Sequence, residues 1–150
     1  SCSEEERRFY KILQDARGAV HPDAVSYTTM IAICRKEGFY EKGLRFIAEL
    51  EESHIRKDTV TYNAILAFDS KSHLWERALS VLQEMKTKIV RTDSVTYHTA
   101  IQAANWAGKW ELTLKLFDKM EEDGLEENVK TVDLWLEAAR RLANEDISRS

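Results

Sequence analysis

One ten-residue pattern occurs three times in this chain at a fixed spacing of 35 residues, and that recurrence limits the possible folds more than any other feature. The copies are Asp23-Ala-Val-Ser-Tyr-Thr-Thr-Met-Ile-Ala, Asp58-Thr-Val-Thr-Tyr-Asn-Ala-Ile-Leu-Ala and Asp93-Ser-Val-Thr-Tyr-His-Thr-Ala-Ile-Gln. The register extends beyond them. Glu41, Glu76 and Glu111 align, as do Leu44, Leu79 and Leu114, and so do Leu50, Met85 and Met120. A period of this length marks a repeat array, in which a unit that cannot bury its apolar face alone buries it against its neighbours.

Each period reads as two helices. Over 24–36 the main apolar positions are Val25, Tyr27, Met30, Ile31 and Cys34, at helical spacing. Asp23 is an N-cap, since its carboxylate can accept an orphan backbone N–H. Gly38 ends this helix, and a partner follows over 40–53 with Leu44, Ile47 and Leu50 inward. The same reading gives helices over 59–71, 75–88, 94–106 and 110–123. A further helix over 4–17 precedes the first copy. Another over 129–143 follows Asn128, which stands 35 residues after Asp93. The expected fold is all-α: a right-handed α-solenoid of stacked antiparallel helix-turn-helix repeats with about eight helices. A single domain over 1–150 would comprise a half repeat (4–22), full repeats (23–57, 58–92, 93–127), a half repeat (128–143) and a fraying tail (144–150). Second helices are closed by Gly124 in one copy but by His54 and Ile89 in the others. Ile89 is β-branched and is not expected to take a left-handed backbone, so its turn is expected to differ.

Composition narrows the function classes. The share of charged residues is 32%, and no apolar run approaches the ~20 residues that span a bilayer. The opening Ser1-Cys2-Ser3-Glu4-Glu5-Glu6-Arg7-Arg8 has no apolar signal core, so any targeting segment is expected to lie outside this chain. Cys2 and Cys34 lie far apart in unlike contexts, which suggests neither a disulfide framework nor a metal site. His21, His54, His73 and His98 lack metal-ligand spacing, and neither a phosphate loop nor a nucleophile elbow is present. The expectation is a non-enzyme with no catalytic residue, metal or cofactor. The net charge of −4 is awkward for a nucleic-acid binder. The excess is local, however: residues 93–127 carry eight acidic and three basic side chains.

The openings Val25-Ser-Tyr-Thr-Thr-Met-Ile, Val60-Thr-Tyr-Asn-Ala-Ile-Leu and Val95-Thr-Tyr-His-Thr-Ala-Ile resemble the pentatricopeptide repeat. So do the second-helix starts Tyr40-Glu-Lys-Gly-Leu, Trp75-Glu-Arg-Ala-Leu and Trp110-Glu-Leu-Thr-Leu, and the lead-in Pro22-Asp23. The tetratricopeptide repeat is the nearest rival, but its period is 34. The chain departs from the pattern at Lys57, Thr92 and Glu127, which replace the proline, and in Val129-Lys-Thr-Val-Asp, which lacks the tyrosine.

The resemblance implies binding of single-stranded RNA in a mitochondrion or plastid, about one base per repeat. Val25, Val60 and Val95 would clamp bases. Thr28 with Asp58, Asn63 with Asp93, and His98 with Asn128 would read their edges. By resemblance Thr–Asp is a guanine pair and Asn–Asp a uracil pair, while His98–Asn128 matches no common pair. Lys36, Lys71 and Arg141 would meet phosphates, and Trp106 takes that place in the third repeat.

Each residue also has a plainer role. The aspartates are helix caps, the valines first-turn core residues, the tyrosines packing, and Trp75 and Trp110 core. Trp106 could stack on a base or meet a protein. Two functions follow. One is an RNA-binding module acting in organellar RNA processing, stability or translation. The other is a non-catalytic scaffold or assembly subunit of a large organellar complex (ribosomal, respiratory or photosynthetic) that contacts protein subunits and has no membrane span.

Overall fold

The computed structural model describes Glu4, Arg7, Arg8, Lys11 and residues 23–149. The first four are helical and exposed; the rest of the helix expected over 4–17 lies outside the described residues. Among the described residues, seven further helices follow in order. They are α1 (Ala24–Glu37), α2 (Tyr40–Glu52), α3 (Thr59–Lys71), α4 (Trp75–Thr87), α5 (Ser94–Trp106), α6 (Trp110–Glu122) and α7 (Val129–Arg149). Helix α7 continues past residue 143, where a fraying tail was expected. No described helix is long and apolar enough to cross a membrane. The chain separates into two compact units, Ser1–Phe68 and Asp69–Ser150. The division falls inside α3.

In the first unit α1 packs on α2. Their core comprises Tyr27, Met30, Ile31 and Cys34 from α1 with Phe46, Ile47 and Leu50 from α2, all buried. Gly43 on α2 faces Phe68 of α3 so closely that a Cβ there would overlap the ring. In the second unit α5 is central and packs on α4, α6 and α7. Leu82, Tyr97, Ala100, Ile101, Ala104, Leu116, Phe117 and Met120 form its core, with Leu134 and Trp135 packed against it.

The turns follow from helix-end chemistry. Gly38, His73 and Gly108, at 35-residue intervals, have left-handed backbones with φ of 78°, 62° and 71°. Beside each, an N–H reaches back to a carbonyl five residues earlier: Phe39 to Cys34 at 2.9 Å, Leu74 to Asp69 at 2.8 Å and Lys109 to Ala104 at 2.9 Å. This pairing is the Schellman motif, which satisfies carbonyls that the helix end leaves open.

Ile89 corrects the sequence expectation. Its φ is 56°, and the same motif forms there, with the Val90 N–H on the Met85 carbonyl at 2.8 Å. The hydrogen bonds outweigh the cost of a β-branched residue, about 1–2 kcal/mol. Gly124 behaves alike at φ 73°. The turn that departs is the one before His54. There Ser53 is extended, and its hydroxyl donates to the Leu50 carbonyl at 2.6 Å.

Candidate functional site

Four helices, α1, α3, α5 and α7, open with one arrangement. The residue before each helix turns a side-chain oxygen onto the third helical residue. Asp23 Oδ1 accepts from the Ser26 N–H at 2.9 Å. Asp58 Oδ1 accepts from the Thr61 N–H at 2.9 Å, Asp93 Oδ1 from Thr96 at 2.9 Å and Asn128 Oδ1 from Thr131 at 2.8 Å. In each case the hydroxyl of that third residue donates to the same oxygen, at 2.8–2.9 Å. These caps satisfy donors that the first helical turn would otherwise leave unpaired. They also hold Asp23 and Asp58 below the usual carboxylate pKa, through the backbone N–H first and the hydroxyl second.

The second helical residue carries the main surprise. Val25, Val60 and Val95 are 72%, 65% and 58% exposed. They are not first-turn core residues. The core positions are instead the tyrosines two residues on: Tyr27, Tyr62 and Tyr97 are buried. Tyr97 donates to Asp123 Oδ2 at 2.6 Å, and burial followed by that bond pushes its pKa well up.

Three residues after each valine, on the same helix face, stand Thr28, Asn63 and His98, all half-buried. The Thr28 hydroxyl shares its proton between the Ala24 carbonyl at 2.7 Å and Thr61 Oγ1 at 3.2 Å. Thr61 in turn donates to Asp58, so one hydroxyl bridges Thr28 to Asp58. The second unit repeats this: His98 Nδ1 lies 2.9 Å from Thr131 Oγ1, which donates to Asn128. Burial first, then the nearby Lys130 charge, lowers the His98 pKa. Asn63 and Asp93 belong to different compact units, and each is placed by its own helix.

These bridging hydroxyls, Thr61 and Thr131, are members of the candidate site that sequence reasoning missed. The signal was present, because Ser26, Thr61, Thr96 and Thr131 recur at the 35-residue interval. Their meaning lies in a contact between one helix and the next cap, which no single copy reveals.

Three turns beyond the valines, Lys36 and Lys71 are exposed near the ends of α1 and α3. Arg141 is largely exposed, with its guanidinium 5.7 Å from the Trp110 ring centroid and 4.0 Å from Glu137 Oε1. Trp106 is 51% exposed, with its ring 6.3 Å from that of His73. Trp75 and Trp110, expected in the core, are half-buried and line a cleft of about 390 Å³ with Leu79, Lys109 and Leu142. Cys34 is inert in this setting, since burial raises its thiol pKa to about 11.

Three family profiles match the sequence: "Pentatricopeptide repeat domain" over residues 11–69, "PPR repeat family" over 57–105 and "PPR repeat" over 95–125. No curated protein sequence matches. Among solved structures, the pentatricopeptide repeat protein PPR10 in complex with an 18-nt psaJ RNA element is 28% identical. It superposes with a TM-score of 0.71 over 79% of this chain and 17% of that one. PPR10 from maize matches 91% of this chain and 21% of its own at 23% identity and a TM-score of 0.69. The PPR domain of Arabidopsis thaliana protein-only RNase P 1, solved in complex with tRNA, covers 95% of this chain and 78% of that one. It matches at 13% identity and a TM-score of 0.80. The chain thus spans about a fifth of the length of PPR10. The shared fold is an all-α solenoid of helical hairpins.

Proposed function

Since the chain belongs to the pentatricopeptide-repeat family, we propose that it binds single-stranded RNA at the openings of α1, α3 and α5, in a mitochondrion or plastid. The observation that carries this reading is the exposure of Val25, Val60 and Val95. Scattered exposed apolar residues need no explanation. Three in register, each three residues ahead of a polar side chain, are one exposed arrangement repeated. A base laid against such a valine buries apolar area worth about 1 kcal/mol. Thr28 with Asp58 and His98 with Asn128 then face its edge, Asn63 and Asp93 are the corresponding readers by register, and Lys36 and Lys71 supply positive charge. The RNA in the PPR10 complex supports the same reading. Three such units grip about three bases, so affinity at physiological salt is modest.

Fluorescence anisotropy with short single-stranded RNAs tests this. The expected result is sequence-dependent binding that weakens in Val60→Ala and in Asn63→Ala combined with Asp93→Asn, a pair that keeps the helix cap. Equal, negligible binding of every RNA by all forms would sink the reading.

One observation favours a second reading, a scaffold for protein subunits of an organellar complex. Trp106 is half exposed where a cation stands in the other units, in the repeat that carries the acidic excess. Co-purification from native organelles separates the two. A complex that survives ribonuclease and is lost in Trp106→Ala supports the scaffold.

A further inference from the structure

The protons at the junction of α5 and α7 can be assigned one by one. The Thr131 N–H requires an acceptor, so the oxygen it meets at 2.8 Å is Asn128 Oδ1, and Asn128 Nδ2 keeps both its protons. Thr131 Oγ1 lies 2.9 Å from the same oxygen and donates its only proton to it. The 2.9 Å contact between His98 Nδ1 and Thr131 Oγ1 then needs a proton from the imidazole. His98 is neutral near pH 7, because burial and Lys130 lower its pKa. Its one proton therefore sits on Nδ1, and Nε2 carries a lone pair. Nε2 has no hydrogen-bond partner among the described residues. Thr131 is fully buried, so water does not compete for the bridge.

The two pairs that end in aspartate correspond by resemblance to guanine and uracil, the bases whose ring nitrogen bears a proton. A carboxylate in that place accepts such a proton. Asn128 offers Nδ2–H there instead, which calls for an unprotonated ring nitrogen. Adenine and cytosine have one, and beside it both carry an amino donor. That amino group needs an acceptor, which His98 supplies only when Nε2 is bare.

Resting on the RNA-binding reading above, we infer that Thr131 is a positioning residue that sets base specificity in the third unit. It locks His98 in the Nδ1–H form, so that His98 Nε2 and Asn128 Nδ2 together select adenine or cytosine. The third member of the site is the buried hydroxyl of the next helix.

Two measurements test it. Long-range proton–nitrogen NMR of the RNA-free protein reads the His98 tautomer directly. The wild type and Thr131→Ser are expected to show Nδ1–H. Thr131→Val keeps the shape and the backbone cap and is expected to shift toward Nε2–H, the form free imidazole favours in water. NMR titration with uridine-flanked RNAs carrying G-U-N, in both polarities and with N as each base, reads specificity. The wild type and Thr131→Ser should prefer adenine or cytosine at N by about tenfold. In Thr131→Val the preference should fall below about threefold. An Nε2–H tautomer in the wild type, an unchanged tautomer in Thr131→Val, or a preference indifferent to Thr131 each overturns the inference. With the expected tautomers but no binding of any RNA, the RNA-binding reading fails, and base selection fails with it.

Discussion

Asp58 caps α3 and faces the proposed base, and its titration separates the two roles. Its folded pKa lies below the ordinary carboxylate value because the Thr61 N–H and hydroxyl stabilise the anion. A carboxylate lowered on folding contributes stability that is complete above its unfolded pKa, near 3.9. That contribution is lost as pH falls through this value toward the folded one. Thermal unfolding followed by circular dichroism from pH 7 to pH 3 should therefore show acid weakening that is smaller in Asp58→Asn. At neutral pH the variant should match the wild type closely, because asparagine caps as well as aspartate. Asp58→Ala loses the cap and should cost about 1 kcal/mol at neutral pH. Much of this was legible in the sequence: the aspartates and Asn128 stand at the interval and are the residue types that start helices. The valines were not legible. Periodicity places Val25 among the apolar positions of its helix, and a period reports a face without saying whether anything covers it. The bridge from His98 to Thr131 was hidden for a related reason, since its two ends lie 33 residues apart and in different copies.

Helix bounds were the most legible feature, because the turns in register, apart from the one before His54, repeat the same end chemistry. Ile89 shows where residue-by-residue reasoning falls short. A β-branched residue disfavours φ of 56°, but the turn is set by the carbonyls it must satisfy. Ile89→Gly should keep the turn and remove the strain, stabilising the protein by about 1 kcal/mol in urea denaturation. Loss of a 92% exposed apolar side chain costs nothing in the core. Gly43 predicts the opposite sign. Alanine in a helix interior is ordinarily better than glycine by about 1 kcal/mol. Here the added Cβ overlaps the ring of Phe68, which is fully buried. Overpacking of this kind costs about 1–3 kcal/mol, so Gly43→Ala should be net destabilising. Adding Phe68→Leu should recover part of the loss. Strict additivity of the two changes would show that the contact does not matter.

For the whole molecule, the RNA-binding reading proposed above leaves phosphate contact to Lys36 and Lys71, near the ends of α1 and α3. Lys36 and Lys71 are exposed, whereas Arg141 lies against Trp110 and Glu137. Two phosphate contacts to a single strand give a slope of log affinity against log salt of about −1.4. The Lys36→Ala and Lys71→Ala double variant should bring the slope near zero while leaving base preference intact. A steep slope in that variant would place the electrostatic contact elsewhere. The shared position of cap and proposed base reader has a further consequence, for how such arrays diverge. Only a few residue types start a helix well, so the set of letters open at that position is short. Aspartate and asparagine both belong to it, and their codons differ by a single nucleotide. On the proposed reading, one point mutation at a helix start thus exchanges a carboxylate for an amide, alters the base preferred and leaves folding almost untouched. Natural selection can revise what such an array reads without first having to rescue its stability.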